Sequence, residues 1–196
     1  MTMNSTAPCM PAQEIVDKFV GMCHGRLDTV KSMLEEHPAL IDGVSSQNES
    51  GIQAAAHMGQ RPIMEFLLAQ GAPMDICTAS ALGRAADVRR MLDADRSRKD
   101  ATGAHGLPLM LYVALGGSIE IAKLMTKRGA SPNGGDGIMT PLHAAVVADQ
   151  PQIADWLLEH GARTDAKDFN GKTPRQAAEA MKRTRILQVF AQHEAA

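Results

Sequence analysis

Thr140-Pro141-Leu142-His143-Ala144-Ala145 is a short stretch in which residue types fit the start of a closely packed helix. A threonine hydroxyl can accept a backbone N–H at a helix N-terminus. Pro141 falls in the first turn, where its missing N–H costs nothing. Ala144 and Ala145 leave room for a neighbouring helix to approach. Thr173-Pro174-Arg175-Gln176-Ala177-Ala178 repeats the arrangement 33 residues later. A fixed interval of that size signals stacked supersecondary units.

Other stretches also recur. Gly25-Arg26-Leu27-Asp28-Thr29-Val30-Lys31-Ser32-Met33-Leu34 returns as Gly83-Arg84-Ala85-Ala86-Asp87-Val88-Arg89-Arg90-Met91-Leu92. Ile63-Met64-Glu65-Phe66-Leu67-Leu68-Ala69-Gln70-Gly71-Ala72 returns as Ile153-Ala154-Asp155-Trp156-Leu157-Leu158-Glu159-His160-Gly161-Ala162, and more loosely over 121–130. Placing a ruler mark between the two helices of each unit selects Gly25, Gly59, Gly83, Gly117, Asp149 and Lys182, at gaps of 34, 24, 34, 32 and 33. An Ala-rich helix precedes each mark. A second helix follows with apolar residues at helical spacing and closes on Gly-Ala or an equivalent. Between units, Asp42-Gly43, Asp136-Gly137 and Asn170-Gly171 tolerate positive φ and predict tight turns in projecting fingers.

Thr140–Ala145 closely resembles the ankyrin-repeat signature Thr-Pro-Leu-His-x-Ala, and the resemblance extends over roughly residues 12–193. It implies an all-α ankyrin-repeat solenoid of about six stacked helical hairpins with short connecting fingers. Residues 1–11 are expected to be a flexible N-terminal tail and 12–196 a single ankyrin-repeat domain, capped by its first and last units. The resemblance gives His143 a structural role, bonding its own threonine and the adjacent turn. The 24-residue gap from Gly59 to Gly83 is short of a full repeat, so the third unit should keep both helices and lose its finger, leaving a notch. The charged connector 93–106 supplies the next finger.

Composition narrows the function. Twenty Lys and Arg against 22 Asp and Glu give a net charge of −2, no general attraction for phosphate backbones or anionic lipid. Aromatic residues are 3% of the chain, so the core is aliphatic, Met and Ala. The three cysteines, Cys9, Cys23 and Cys77, form neither a disulfide framework nor a zinc spacing, which fits a reducing, cytoplasmic setting. The N-terminus does not read as a secretory signal, and no apolar run is long enough to span a bilayer. The phosphate-cradling and nucleophile-elbow motifs are absent from the sequence. The basic run Lys182-Arg183-Thr184-Arg185 lacks the wide positive surface and aromatics of a nucleic-acid site and reads as a soluble end cap.

The helical register assigns Val20, Cys23, His24, Ala54, His57, Met58, Thr78, Ala81, Leu82, Tyr112, Leu115, Ala144 and Val147 to an open concave face, apolar enough to bind something. The residues expected to contact a partner or ligand are His24, His57, Met58, Thr78, Leu82, His105, Tyr112 and Leu115. His37 and His160, beside helix ends, are expected to be structural. Cys23-His24 with His57 raises metal binding. Neighbouring residues on a helix diverge, however, and no carboxylate pair or Cys-x-x-Cys accompanies them, so neither metal nor cofactor is expected. The resemblance implies non-catalytic recognition of a protein partner by the concave face and the finger tips at 47–51, 104–107, 133–138 and 169–171. The alternative is a small-molecule-binding protein or enzyme with a pocket for a small apolar ligand at the shortened third repeat, bordered by His57, His105 and Tyr112. No residue is assigned a catalytic role.

Overall fold

The computed structural model describes residues 10–195. The expected tail therefore lies outside the described residues, except for Met10 and Pro11. The chain falls into two compact units, one up to Met74 and one from Asp75. The first holds α1 (Gln13–Met22), α2 (Leu27–Glu36), α3 (Gly51–His57) and α4 (Arg61–Ala69). The second holds α5 (Ile76–Ala81), α6 (Ala85–Ala94), α7 (Leu109–Gly116), α8 (Ile119–Lys127), α9 (Pro141–Val147), α10 (Pro151–Glu159), α11 (Pro174–Ala180) and α12 (Thr184–Glu194). The architecture is all-α, with isolated bridges Val44–Ser50 and Thr102–Pro108 where fingers close. No helix among the described residues is long and apolar enough to cross a membrane.

Each ruler mark is a hinge between paired helices. Gly25, Gly59, Gly83, Gly117, Asp149 and Lys182 all have positive φ. The six-residue closing bond of a Schellman cap follows at α3, α5, α9 and α11, where Gln60, Arg84, Gln150 and Arg183 donate to Ala55, Ala79, Ala145 and Ala178 at 2.8–2.9 Å. The second helices end the same way through Gly71, Gly129 and Gly161, with Ala72, Ala130 and Ala162 donating to Leu67, Met125 and Leu157. These bonds explain why Gly-Ala recurs. Asp149 and Lys182 hold the positive φ without being glycine, at a cost of about 1–2 kcal/mol each.

The starts of α3, α5, α8, α9 and α11 are capped by short polar side chains. Thr140 Oγ1 accepts from His143 N at 3.3 Å, and Thr140 N donates back to His143 Nδ1 at 3.4 Å. His143 Nε2 faces Lys172 O at 2.9 Å, so the ring carries its proton on Nε2 and ties α9 to the following finger. Gln176 closes the equivalent box with Thr173, and Gln53 with Ser50. Asp75 caps α5 by accepting from Thr78 N at 2.7 Å. The third pair keeps both helices, and only residues 70–75 separate α4 from α5. Asp42-Gly43 departs from the expected turn. Gly43 is extended at φ −67°, ends a 3-10 turn, and lies where a Cβ would come within 3.0 Å of Val16 Cγ1 and Leu40 O. Close packing there, rather than positive φ, calls for glycine. Gly137 and Gly171 have the predicted positive φ.

Within the second unit α7 packs between α5 and α9, and α11 packs on α9. Leu109 to Leu115 of α7 are all buried. In the first unit α1 packs on α3, and α2 on α4. The backbones approach closely where α7 meets α5: a Cβ on Gly116 would fall 2.2 Å from Ser80 O and 3.1 Å from Ala81 O. Gly116→Ala is expected to lower stability by about 1–3 kcal/mol through this backbone clash. Gly21→Ala, inside α1 with no atom within 4 Å of the added Cβ, should raise it by about 0.5–1 kcal/mol. Thermal melts followed by circular dichroism check both signs.

Burial holds the His143 imidazole below its ordinary pKa, outweighing the Lys172 carbonyl and the nearby Asp168 and Asp136 charges. The unfolded chain takes up a proton near pH 6.5. The folded chain resists protonation until lower pH, so the unfolded state binds more protons in that window and stability falls as pH drops below about 6.5. His143→Gln preserves the capping box, as Gln176 does, and removes this titration. Melting temperatures measured between about pH 7 and pH 5 should fall more steeply for the natural chain than for His143→Gln. Parallel curves would contradict the assignment.

Candidate functional site

Most of the expected concave face is buried. Thr78, Leu82, Tyr112 and Leu115 are buried in the second unit, as are Ala81 and Ala144. Val20, Cys23 and Ala54 are buried in the first. These positions form no open apolar floor. α7, with α5 on one side and α9 on the other, turns more of its circumference inward than a single amphipathic stripe would. Tyr112 reaches into the base of its finger, where a Cβ on Gly103 would lie 2.1 Å from the phenolic oxygen. Met58 and Val147 are exposed as expected, and Met181 occupies the matching end of α11. His105 is exposed at the tip of the 102–108 finger with φ +58°.

The fingers carry the more accessible apolar surface of the second unit. Phe169 is 68% exposed and Ile138 is 43% exposed. They are neighbours by backbone pairing: Phe169 N donates to Ile138 O, and Gly137 N donates to Lys167 O, both at 3.0 Å. Asp168 shapes the outer turn, its carboxylate accepting from Asn170 N and Lys172 N at 2.8 and 2.9 Å. Arg163 is clamped between Asp136 and Asp165 beneath these fingers. An aromatic side chain thus stands out from a hydrogen-bonded, charge-paired base.

A second feature lies in the first unit. His24 and His57, both singled out by the sequence, meet with ring centroids 5.1 Å apart at 63°. Glu49, buried at 3% exposure, joins them: its Oε1 is 2.8 Å from His57 Nδ1 and its Oε2 is 3.9 Å from His24 Nε2. Ser45 fixes Glu49, its N–H donating to the Glu49 carbonyl at 2.8 Å while its Oγ accepts from Glu49 N at 3.3 Å. Burial, reinforced by the Glu49 charge, pushes the nearby Cys23 thiol up to about 12, so it stays protonated. Glu49 lies within the expected finger 47–51 but is not among the residues sequence reasoning selected. The available signal was an acid one position before the Ser50 cap of a helix ending in histidine.

The other histidines serve their surroundings. His160 caps the end of α10, stacks on Trp156 at 4.0 Å and contacts its carbonyl at 2.7 Å. His37 follows α2 beside Glu36. In the basic run at the last unit, Arg183 donates to Val147 O at 2.9 Å and lies 3.7 Å from Asp149.

The family model described as ankyrin repeats in three copies matches residues 77–168 and 109–195. NF-kappa-B inhibitor alpha of Gallus gallus is 44% identical over 54 residues, 28% of this chain and 17% of that protein. The potassium channel AKT3 of Oryza sativa subsp. japonica is 58% identical over 45 residues, 23% of this chain and 5% of the channel. Protein phosphatase 1 regulatory subunit 27 of Mus musculus is 34% identical over 88 residues, 44% of this chain and 57% of the subunit. The matched stretches thus span less than two thirds of these relatives. With the family model covering more than half of its length, and with the paired helices and capped Thr-Pro starts described above, the chain belongs to the ankyrin-repeat family.

Proposed function

We propose that this chain is a non-catalytic protein-interaction module that grips its partner through the fingers and the exposed ends of the inner helices. The observation that carries the reading is Phe169, 68% exposed beside Ile138 on paired fingers. A folded protein rarely keeps an aromatic side chain that open, and aromatic anchors ringed by polar groups dominate the energetics of protein interfaces. Val147 and Met181 add exposed apolar surface at the inner-helix ends of the same unit. Two of the similar proteins are themselves named as an inhibitor and a regulatory subunit of other proteins, which supports the same class of activity. The buried, protonated Cys23 and buried Cys77 suit a reducing compartment, and the proposed setting is the cytoplasm. The small-molecule reading gains no observation of its own, since Thr78, Leu82 and Tyr112 are buried.

The test is affinity capture with the purified chain followed by binding measurements on the captured protein. Phe169→Ala should weaken binding by at least about 30-fold, the effect of a 2 kcal/mol anchor, and Ile138→Ala less. Lys123→Ala, exposed on α8, should leave it unchanged. Equal affinity for the natural chain and Phe169→Ala, with circular dichroism confirming the fold, would refute the finger assignment.

A further inference from the structure

We propose that His24, Glu49 and His57 form a binding site for one divalent transition-metal ion of the zinc type. The three side chains each offer a ligand atom, and these atoms all lie within 4.8 Å of one another. A tetrahedral zinc ion with bonds of about 2.0–2.2 Å holds its nitrogen and oxygen donors a little over 3 Å apart. The two gaps to Glu49, 2.8 and 3.9 Å, bracket that separation, so small side-chain adjustments suffice.

The orientation of His24 points the same way. Its Nδ1 lies 3.1 Å from Gly21 O, an acceptor only, so the ring proton sits on Nδ1. Nε2 then turns a lone pair toward Glu49 Oε2 at 3.9 Å, too long for a hydrogen bond. Two electron-rich atoms facing each other at that distance favour a cation between them. A backbone carbonyl fixing the far ring nitrogen is also the usual outer support of a metal-binding histidine. His57 presents Nδ1 to Glu49 Oε1, and the same atom lies 3.3 Å from Gln53 O, a contact that gives way when the ion binds.

Burial and rigidity favour an ion as well. A carboxylate at 3% exposure is costly to keep charged, and a dication beside it offsets that cost. The donors come from fixed elements. His24 follows the α1 C-cap, His57 ends α3, and Glu49 is pinned by Ser45. The start of α3 is pressed on the end of α1, where a Cβ at Gly51 would fall 2.8 Å from Phe19 and 3.0 Å from Cys23 Sγ. Two imidazoles with one carboxylate suit zinc, cobalt or nickel rather than calcium or magnesium, which prefer all-oxygen cages. Three protein donors leave a position for water on the side where His24 is 37% exposed. Taking up the ion displaces the proton of the His57–Glu49 contact to solvent.

The experiment is calorimetric titration of the tag-free, chelator-treated full chain with Zn²⁺, with Co²⁺ as an optical probe and Ca²⁺ and Mg²⁺ as controls. One Zn²⁺ per chain should bind, and Co²⁺ should develop visible absorption. His24→Ala and His57→Ala should each weaken Zn²⁺ binding by at least about tenfold. His37→Ala and His105→Ala should not. Glu49→Gln should behave like the histidine variants. If it fails to fold, His24→Ala decides the matter, because that ring is 37% exposed. No saturable Zn²⁺ binding, or binding that survives both His24→Ala and His57→Ala in folded protein, would overturn the assignment.

Discussion

A two-helix unit this short cannot bury its own apolar face, so every pair depends on the one beside it. In the second unit this dependence centres on α7, buried from Leu109 to Leu115 between α5 and α9. Such a helix is apolar on all sides and would aggregate alone. It is stable only because both neighbours supply matching surfaces, and the peptide backbones come close enough that Gly116 has no room for a methyl group. Positive-φ hinges turn the chain between the paired helices, and Thr-Pro caps start α9 and α11 in the same way.

Packing among the helices leaves the 167–171 finger largely exposed. Backbone pairing between residues 137–138 and 167–169, together with Asp168 turning the chain, holds Phe169 outward without burying it. In the first unit the finger at 44–50 has a different consequence: it brings an acid under two histidines. The same connecting element therefore offers an apolar anchor in one place and a charged cluster in another.

Much of this was legible in the chain. The period located all six hinges, including Asp149 and Lys182, because the recurring apolar pattern fixes the phase regardless of the residue at the hinge. The Thr-Pro-Leu-His stretch named the family, since each of its residues meets a local need of a helix start. The concave face was less legible. Tyr112 and Leu115 look like one exposed stripe when a helix is considered alone, yet α7 has α5 and α9 on two sides and buries that stripe, and Thr78 of α5 and its C-cap Leu82 are buried as well. Gly43 misled because glycine also serves close packing, here against Val16. The pair His24 and His57 was visible from repeat register, whereas Glu49 was not, because a finger residue has no periodic phase from which to infer its direction.

Stability passes from neighbour to neighbour and is greatest where a helix is enclosed on both sides. Native-state hydrogen exchange, resolved by residue, measures this directly. The slowest amides should lie in α7 and α9, with progressively faster exchange through α11 to α12. Uniform protection across the second unit, or α7 exchanging as fast as α12, would contradict it.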